Sequence, residues 1–289
     1  MNKNKSFSLE ILMRGVFLSC AAVSILAVLL ICLFLFANGI PGIGKIGLLD
    51  FLTGTSWKPN DIPASFGILP MIVGSCLVTL GAISIGVPIG VASAVFMAFC
   101  CPKNLYKILK PAINLLAGIP SVIYGFFGMA AIVPVFGNSI ISACILLGLM
   151  ILPTVIGLSE SALRAVPEQF YEGALALGSG HYRAVYRVAL PAAKSGVMAA
   201  VVLGVGRAIG ETMAVIMVAG NQARMPKDMF PIPKGLFRGI RTLTANIVIE
   251  MGYAAELHRE ALIATGVVLL IFILIINLCF GDTLRRKKQ

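Results

Sequence analysis

The 289-residue chain is 58% hydrophobic and only 12% charged. Because ordinary soluble domains carry about 25% charged residues, this composition excludes a soluble globular protein and predicts a protein that crosses a membrane several times. The formal net charge of +11 fits Lys and Arg side chains at a cytoplasmic face. We therefore expect these charges to meet anionic lipid, and we predict no nucleic-acid partner.

Apolar runs long enough to cross a bilayer recur six times along the chain. The first follows Lys3, Lys5 and Arg14 and is too long for a signal-peptide core, so we expect an uncleaved first span. The spans are predicted at about 16–36, 67–99, 112–133, 139–158, 196–219 and 260–280. They indicate an all-α polytopic membrane protein in which residues 1–289 form a single transmembrane domain.

Two local features are predicted around the start of the second span. The preceding segment 37–65 is rich in Gly and Pro and contains Trp57, the single tryptophan, which predicts a short amphipathic segment anchored by that ring at the membrane interface. Within the second span, Gly86 and Gly90 predict a close contact with another helix, and Pro88 predicts a kink.

The longest polar interval between two strongly apolar runs is 159–195, which we predict to be a cytoplasmic loop. Its pattern predicts a first helix that ends at Gly178 in a left-handed conformation. Ser179 is then expected to cap a second helix, His181 to Leu190, which stops at Pro191. Two short amphipathic helices inside an apolar protein are typical of a docking surface.

This loop resembles the EAA loop of ATP-binding-cassette (ABC) importer permeases. The matching residues are Glu172, Gly173, Ala174, Gly178, Leu190 and Pro191, at the spacing of that motif. Gly173 departs from it, since Ala is usual there. The resemblance implies the type I ABC importer permease fold, also called MetI-like, with six transmembrane helices, and a coupling helix that sits in a groove of a separate ATPase. The alternative interpretation is an ordinary helical hairpin between two spans.

The distribution of basic residues predicts the orientation of the chain. Segments that lie inside when the N-terminus is inside carry 14 Lys and Arg, against 8 in the outer segments. Because cytoplasmic loops are enriched in these residues, both termini and the Glu172 loop are expected in the cytoplasm. The outer segment 220–259 is unusually basic, which either reflects a solvated surface or helps to attract an anion.

The sequence contains no recognisable catalytic or metal-binding constellation. It has no HExxH, no GxSxG and no complete P-loop, and its seven cysteines show no CxxC or paired spacing. We therefore predict no catalytic residues, no metal and no cofactor, and expect that any ATP hydrolysis belongs to a partner subunit.

The predicted fifth span contains an ionisable pair. Arg207 lies eleven residues after Gly196, which is roughly 16 Å along a helix and near the middle of a hydrocarbon core of about 30 Å. An Arg at this depth costs about 2.5–3.5 kcal/mol on insertion, so we expect it to face the interior of the bundle. Glu211 is expected on the same helix face, within reach of Arg207. The pair is either a lock between helices or part of an anion pathway, because a guanidinium binds an oxyanion in two-point geometry.

The block Gly206-Arg-Ala-Ile-Gly-Glu-Thr-Met-Ala-Val, followed by Gly220-Asn221, resembles the permeases of bacterial phosphate importers, specifically the PstC family. The stretches at 65–70, 118–125 and 244–247 fit the same family. The resemblance implies that Arg207, Glu211 and Thr212 lie on the phosphate pathway. It also implies a multi-pass protein of the bacterial inner membrane.

The partners implied by this resemblance are a PstA-like permease that completes a heterodimer, two PstB-like ATPase subunits and a PstS-like phosphate-binding protein. Other hypotheses are a permease for sulfate or molybdate, or the PstA-type partner subunit itself. A different class of protein, an ATP-independent channel or a membrane-embedded regulator, would have no ATPase partner.

Overall fold

The computed structural model describes residues 3–225 and 235–285, which are mostly helical. The helices in the first half are α1 (Lys3–Ile46), α2 (Leu48–Thr53), α3 (Leu69–Val95), α4 (Lys103–Gly118), α5 (Ser121–Phe127) and α6 (Val133–Phe136). Those in the second half are α7 (Ile140–Arg164), α8 (Glu168–Ala176), α9 (His181–Ala184), α10 (Leu190–Ala192), α11 (Lys194–Gly210), α12 (Met213–Val218), α13 (Leu243–Glu250) and α14 (Glu256–Arg285). Single π-helical stretches occur at Phe96–Cys100, Gly128–Ile132 and Val185–Ala189. A two-stranded antiparallel hairpin pairs β1 (Trp57–Lys58) with β2 (Ser65–Phe66).

Four of the described helices are long and apolar enough to cross a membrane as they stand: Leu12–Ile46, Leu69–Cys100, Ile140–Arg164 and Glu256–Leu278. Two bent pairs raise this number to six if each pair is one crossing. The first pair bends by 98° between Gly118 and Ser121, and the second bends by 70° between Ala192 and Lys194.

The helix bounds differ from the predicted spans most clearly at four places. At the first, α1 continues to Ile46, past the predicted end of the first span at residue 36 and into the segment 37–65. The predicted third span is not one continuous helix, because Ile119 is extended and Pro120 cannot donate to a preceding turn. The fourth helix continues to Arg164, so the first residues of the predicted loop 159–195 belong to α7. The predicted fifth span is interrupted after Gly210, where α11 ends.

Glycines bring α3 and α7 into close contact along parallel axes. A Cβ added at Gly86 would lie 2.6 Å from Cγ1 of Ile151, and one added at Gly90 would lie 2.8 Å from Cγ1 of Val155. Because real side-chain atoms do not approach so closely, a residue larger than Gly would separate the two helices at these positions. The predicted close helix contact at Gly86 and Gly90 is therefore confirmed.

The other long helices pack antiparallel to their neighbours. Gly196 and Gly204 of α11 lie against Ala162 and Val155 of α7, so the chain runs in opposite directions along these two helices. Gly39 and Gly42 of α1 lie in the same way against Val267 and Glu260 of α14. The start of α14 lies beside the start of α3, where Ala261 and Leu262 share a buried cluster with Ile68 and Met71. The N-terminal ends of α3, α7 and α14 therefore lie at the same end of the molecule, as expected if one crossing separates each from the next.

The predicted role of Trp57 as an anchor exposed to the membrane interface is wrong. Its side chain is only 6% exposed and packs edge-on against Phe66 across the hairpin. The indole Nε1 donates a hydrogen bond of 2.8 Å to the buried carboxylate of Glu250. A belt residue needs its ring in the headgroup region, whereas this ring is enclosed by protein. Trp57 is a buried core residue of the β1–β2 hairpin.

Candidate functional site

The first half of the predicted coupling loop is an exposed helix. None of the residues of α8, Glu168–Ala176, is buried. The helix ends as predicted at Gly178, whose φ is +84°, and the following N–H of Ser179 donates to the carbonyl of Ala174 at 3.0 Å. Among the residues that resemble the EAA motif, Glu172, Gly173, Gly178 and Pro191 are exposed, whereas Ala174 and Leu190 are half-buried.

The second half of the loop departs from the prediction at both ends. Gly180, not Ser179, precedes the helix, and its N-terminus has no side-chain cap. Pro191 does not stop the helix at Leu190, because it lies in the first turn of α10, where no donor N–H is required of it. The helical path from His181 therefore continues to Ala192 before it turns into α11.

This helical hairpin, residues 168–192, is rooted on the ends of the long helices. The ring of Tyr171 packs on Phe99, which follows α3, with 5.7 Å between ring centroids. The hydroxyl of Tyr171 lies 2.5 Å from Nδ1 of His181, which joins the two halves of the hairpin. A buried apolar cluster attaches the hairpin to α3, α7 and α11: Ala94, Val95, Leu163, Val185, Ala193 and Val197.

The free face of the hairpin carries apolar side chains that the sequence analysis did not single out. Leu177 is 91% exposed and Phe170 is 54% exposed. An open groove beside Leu177 is lined by Ala174, Ser179, Arg183, Arg187 and Val188. Exposed leucine at a helix end next to arginines is typical of a protein contact surface.

A buried ionic cluster lies where α3, α4 and α7 come together near the hairpin. Glu160 is 1% exposed and accepts hydrogen bonds from the hydroxyl of Tyr106 and Nε of Arg164, each at 2.7 Å, and from Nζ of Lys110. Nη2 of Arg164 donates to the carbonyl of Met97 at 2.8 Å. Sequence reasoning missed this cluster, although the spacing of Glu160 and Arg164 is that of a helical ion pair.

The predicted pathway residues lie at a break in the fifth span. Arg207 is half-buried on α11, and its Nη1 donates to Oγ1 of Thr154 on α7 at 3.1 Å. Glu211 is extended, with φ −73° and ψ 128°, and it ends α11. Thr212 follows as the residue before α12, and its hydroxyl donates to the carbonyl of Gly210 at 3.3 Å.

The expected pairing of Arg207 with Glu211 is wrong for this structure. Because the helix ends at Gly210, Glu211 does not lie one turn above Arg207, and the described contacts of the two side chains are with Thr154 and Ala214, not with each other. Oε1 of Glu211 instead accepts the backbone N–H of Ala214 at 3.3 Å, which caps the first turn of α12.

This break places groups suited to an anion close together along the chain. Interrupted membrane helices expose backbone groups at the point of interruption, and such points are where transporters commonly bind their substrates. Here a guanidinium, the Thr212 hydroxyl and the start of α12 at Met213 fall within seven residues, 207–213. Glu211 lies in the same stretch, and its carboxylate would compete with an anion for the backbone N–H groups at the start of α12.

Two glycines of the hairpin are expected to respond oppositely to substitution by Ala. At Gly178 the positive φ disfavours any side chain, so Gly178→Ala should destabilise the protein by about 1 kcal/mol. At Gly173 an added Cβ meets nothing within 4 Å, so Gly173→Ala should stabilise α8 by about 0.5–1 kcal/mol through helix propensity. Thermal unfolding of the purified protein in detergent measures both changes. Equal shifts in the two variants would contradict the assignment of Gly178 as the helix terminator.

Apolar helices of membrane-spanning length, an exposed helical hairpin and an interrupted helix that carries an Arg are features of a membrane transport subunit. Residues 86–281 match the family described as binding-protein-dependent transport system inner membrane component. The chain belongs to this family of ABC importer permeases, and it is a multi-pass inner-membrane protein. Membership of the family implies an ATPase and a substrate-binding protein as partners.

Relatives and a solved structure agree with this assignment. The chain is 36% identical over 284 residues to the probable ABC transporter permease protein YqgH of Bacillus subtilis, covering 93% of this chain and 90% of that one. It is 31% identical over 286 residues to the phosphate transport system permease protein PstC of Mesorhizobium japonicum, covering 89% and 84%. The inward-facing MetNI methionine ABC transporter contains a chain that matches with a TM-score of 0.62 at 18% identity, covering 76% of this chain and 95% of that one. The predicted all-α, MetI-like fold and the resemblance to PstC permeases are confirmed.

Proposed function

We propose that this chain is the permease subunit of an ATP-driven inorganic phosphate importer, in which phosphate passes Arg207 at the break in the fifth span. The observation that carries the proposal is the half-buried guanidinium directly before an interrupted helix. The names of relatives such as PstC of Mesorhizobium japonicum support phosphate as the substrate. The pathway residues of the proposal are Arg207, Glu211 and Thr212.

The chemistry of the break favours phosphate over sulfate or molybdate. Arg207 can bind two oxygens of a tetrahedral oxyanion at once. Glu211 can only accept hydrogen bonds when ionised, so it favours an oxyanion that carries a proton and repels one that is fully ionised. Phosphate is protonated near neutral pH, whereas sulfate and molybdate are not. A permease for another oxyanion remains the second candidate, since Arg207 alone would serve it equally well.

In this proposal, the ATP-driven movement of the ATPase is transmitted to the chain through the helical hairpin 168–192. The hairpin would dock on a PstB-like ATPase through the residues resembling the EAA motif, while the termini lie in the cytoplasm. The hairpin continues into α11, and Arg207 lies thirteen residues after Lys194, which is about 20 Å along that helix. A displacement of the hairpin would thus move the helix that carries Arg207. Six spans of this chain and those of a PstA-like permease would enclose the pathway, and a PstS-like protein would deliver phosphate.

Purification of the chain with its partners, followed by reconstitution in liposomes, tests the proposal. We expect ATP-dependent phosphate accumulation that excess sulfate or molybdate does not reduce. Equal competition by sulfate would favour the second candidate. Failure to co-purify any ATPase, together with phosphate flux that does not need ATP, would favour an ATP-independent channel.

A further inference from the structure

A buried carboxylate at the end of the molecule opposite the helical hairpin 168–192 joins three separate segments. Glu250 is the last residue of α13, and it is 5% exposed. Its Oε1 accepts from Nη1 of Arg241 at 2.5 Å, and its Oε2 accepts from Nε1 of Trp57 at 2.8 Å. Nε2 of His258, on α14, lies 2.9 Å from the same Oε2.

The cluster is connected to both ends of α12, the segment that follows the break. At its start, the hydroxyl of Thr244 on α13 donates to the carbonyl of Glu211 at 3.3 Å. At its end, Nε of Arg241 donates to the carbonyl of Asn221 at 3.0 Å. The backbone N–H of Ile240, next to Arg241, donates to the carbonyl of Ala219 at 2.8 Å.

The helix that carries Glu250 is itself held against the bundle. The N–H of Leu243 donates to Oγ of Ser75 on α3 at 2.9 Å, and Nη1 of Arg241 also donates to Oδ1 of Asn246 at 3.0 Å. With α3 fixing one side and Glu250 the other, the hydroxyl of Thr244 has a defined position. The carbonyl that it meets belongs to the residue whose carboxylate caps α12.

We propose, resting on the pathway assigned above to Arg207 and the break, that Glu250 is a positioning residue for that pathway. Glu250 holds Arg241 and α13 in place, and these hold the two ends of α12. Glu211 is thereby kept at the start of α12 instead of turning toward Arg207. Glu250 does not touch the substrate; it acts through Thr244 and Arg241.

Hydrogen–deuterium exchange on the assembled transporter tests this role without phosphate. In Glu250→Gln, the side-chain NH₂ group would face the N–H groups that now donate to the carboxylate, so hydrogen bonds of the cluster should be lost. We expect exchange in 211–219 and 241–250 to become about tenfold faster or more. The matched control is Glu260→Gln, which breaks the 2.6 Å pair with Lys45; within the described residues no hydrogen bond or ion pair joins Glu260 to α13, so exchange in 211–219 should not change.

A second pair of variants keeps the test decisive if Glu250→Gln does not assemble. Thr244→Val removes only the hydroxyl that reaches Glu211, and should speed exchange in 211–219 while that of 57–66 stays unchanged. Thr244→Ser keeps the hydroxyl and should restore the slow exchange. Unchanged exchange in 211–219 for Thr244→Val, or faster exchange confined to 57–66 and 241–258 for Glu250→Gln, would show that the cluster only supports the outer segments. A failure of the phosphate assignment would appear instead in uptake assays and leave these exchange rates unaffected.

Discussion

Replacement of Arg207 by Gln is expected to abolish phosphate uptake while the transporter still assembles. Gln retains hydrogen-bonding capacity but loses the positive charge and the two-point geometry of the guanidinium. Two charge-assisted hydrogen bonds contribute about 1.5–3 kcal/mol each, so uptake should fall by about 100-fold or more. Assembly should persist because Arg207 is only half-buried and its described partner is the neutral hydroxyl of Thr154. ATP-dependent uptake in liposomes, normalised to the amount of complex, measures the effect.

Arg14→Gln is the matched control for this substitution. Arg14 is exposed on α1, so the same chemical change there should leave uptake near the level of the unmodified transporter. Normal uptake in Arg207→Gln would remove Arg207 from the pathway. Loss of the assembled complex in Arg207→Gln would instead assign the guanidinium to packing of α11 on α7.

Replacement of Leu177 by Asp is expected to prevent binding of the ATPase without affecting the fold. At 91% exposure the side chain contributes almost nothing to packing within the chain, so stability should change by less than about 0.5 kcal/mol. In a complex the same side chain would lose water, and burial of a Leu is worth about 1.5–3 kcal/mol. A carboxylate in its place adds a desolvation penalty, so affinity should fall by about 100-fold or more. Co-purification of the ATPase with membrane-inserted permease measures this.

The same substitution at Leu49 separates docking from a general effect of charge. Leu49 lies on α2, is 75% exposed, and is at the end of the molecule away from the hairpin. Leu49→Asp should retain the ATPase at the normal level. Retention of the ATPase in Leu177→Asp would mean that the free face of the hairpin is not the docking surface.

The glycines were the most informative single residues in the sequence. Gly178 predicts the left-handed helix end, and Gly86 and Gly90 predict the contact of α3 with α7, because few other residues tolerate those conformations or distances. The hydrophobic runs predict the approximate positions of the long helices, because an apolar run of that length matches the thickness of a membrane. Each is a local property, set by residues close together in the chain.

The interactions that hold the site together were not predictable in this way. Trp57 and Glu250 are 193 positions apart, and nothing in either neighbourhood indicates that they meet. The break at Glu211 was hidden because an i, i+4 spacing of Arg and Glu also fits a continuous helix. Lys110 and Tyr106 lie between the predicted second and third spans, and nothing local indicates that they bind the buried carboxylate of Glu160.

The cluster around Glu160 has a mechanical consequence for the whole subunit. The carboxylate of Glu160 binds Lys110 of α4 and Arg164 at the end of α7, and Arg164 in turn binds the carbonyl of Met97 after α3. These three parts of the chain therefore have little freedom to slide past one another. If an ATPase displaces the helical hairpin 168–192, as proposed above, the helices joined by this cluster would move together and not deform beside the hairpin. We expect the strain to be taken up at the two places where the helices are already interrupted, the bend at Ile119 and the break at Glu211. We therefore expect the subunit to bend at these two interruptions and not at the helical hairpin 168–192.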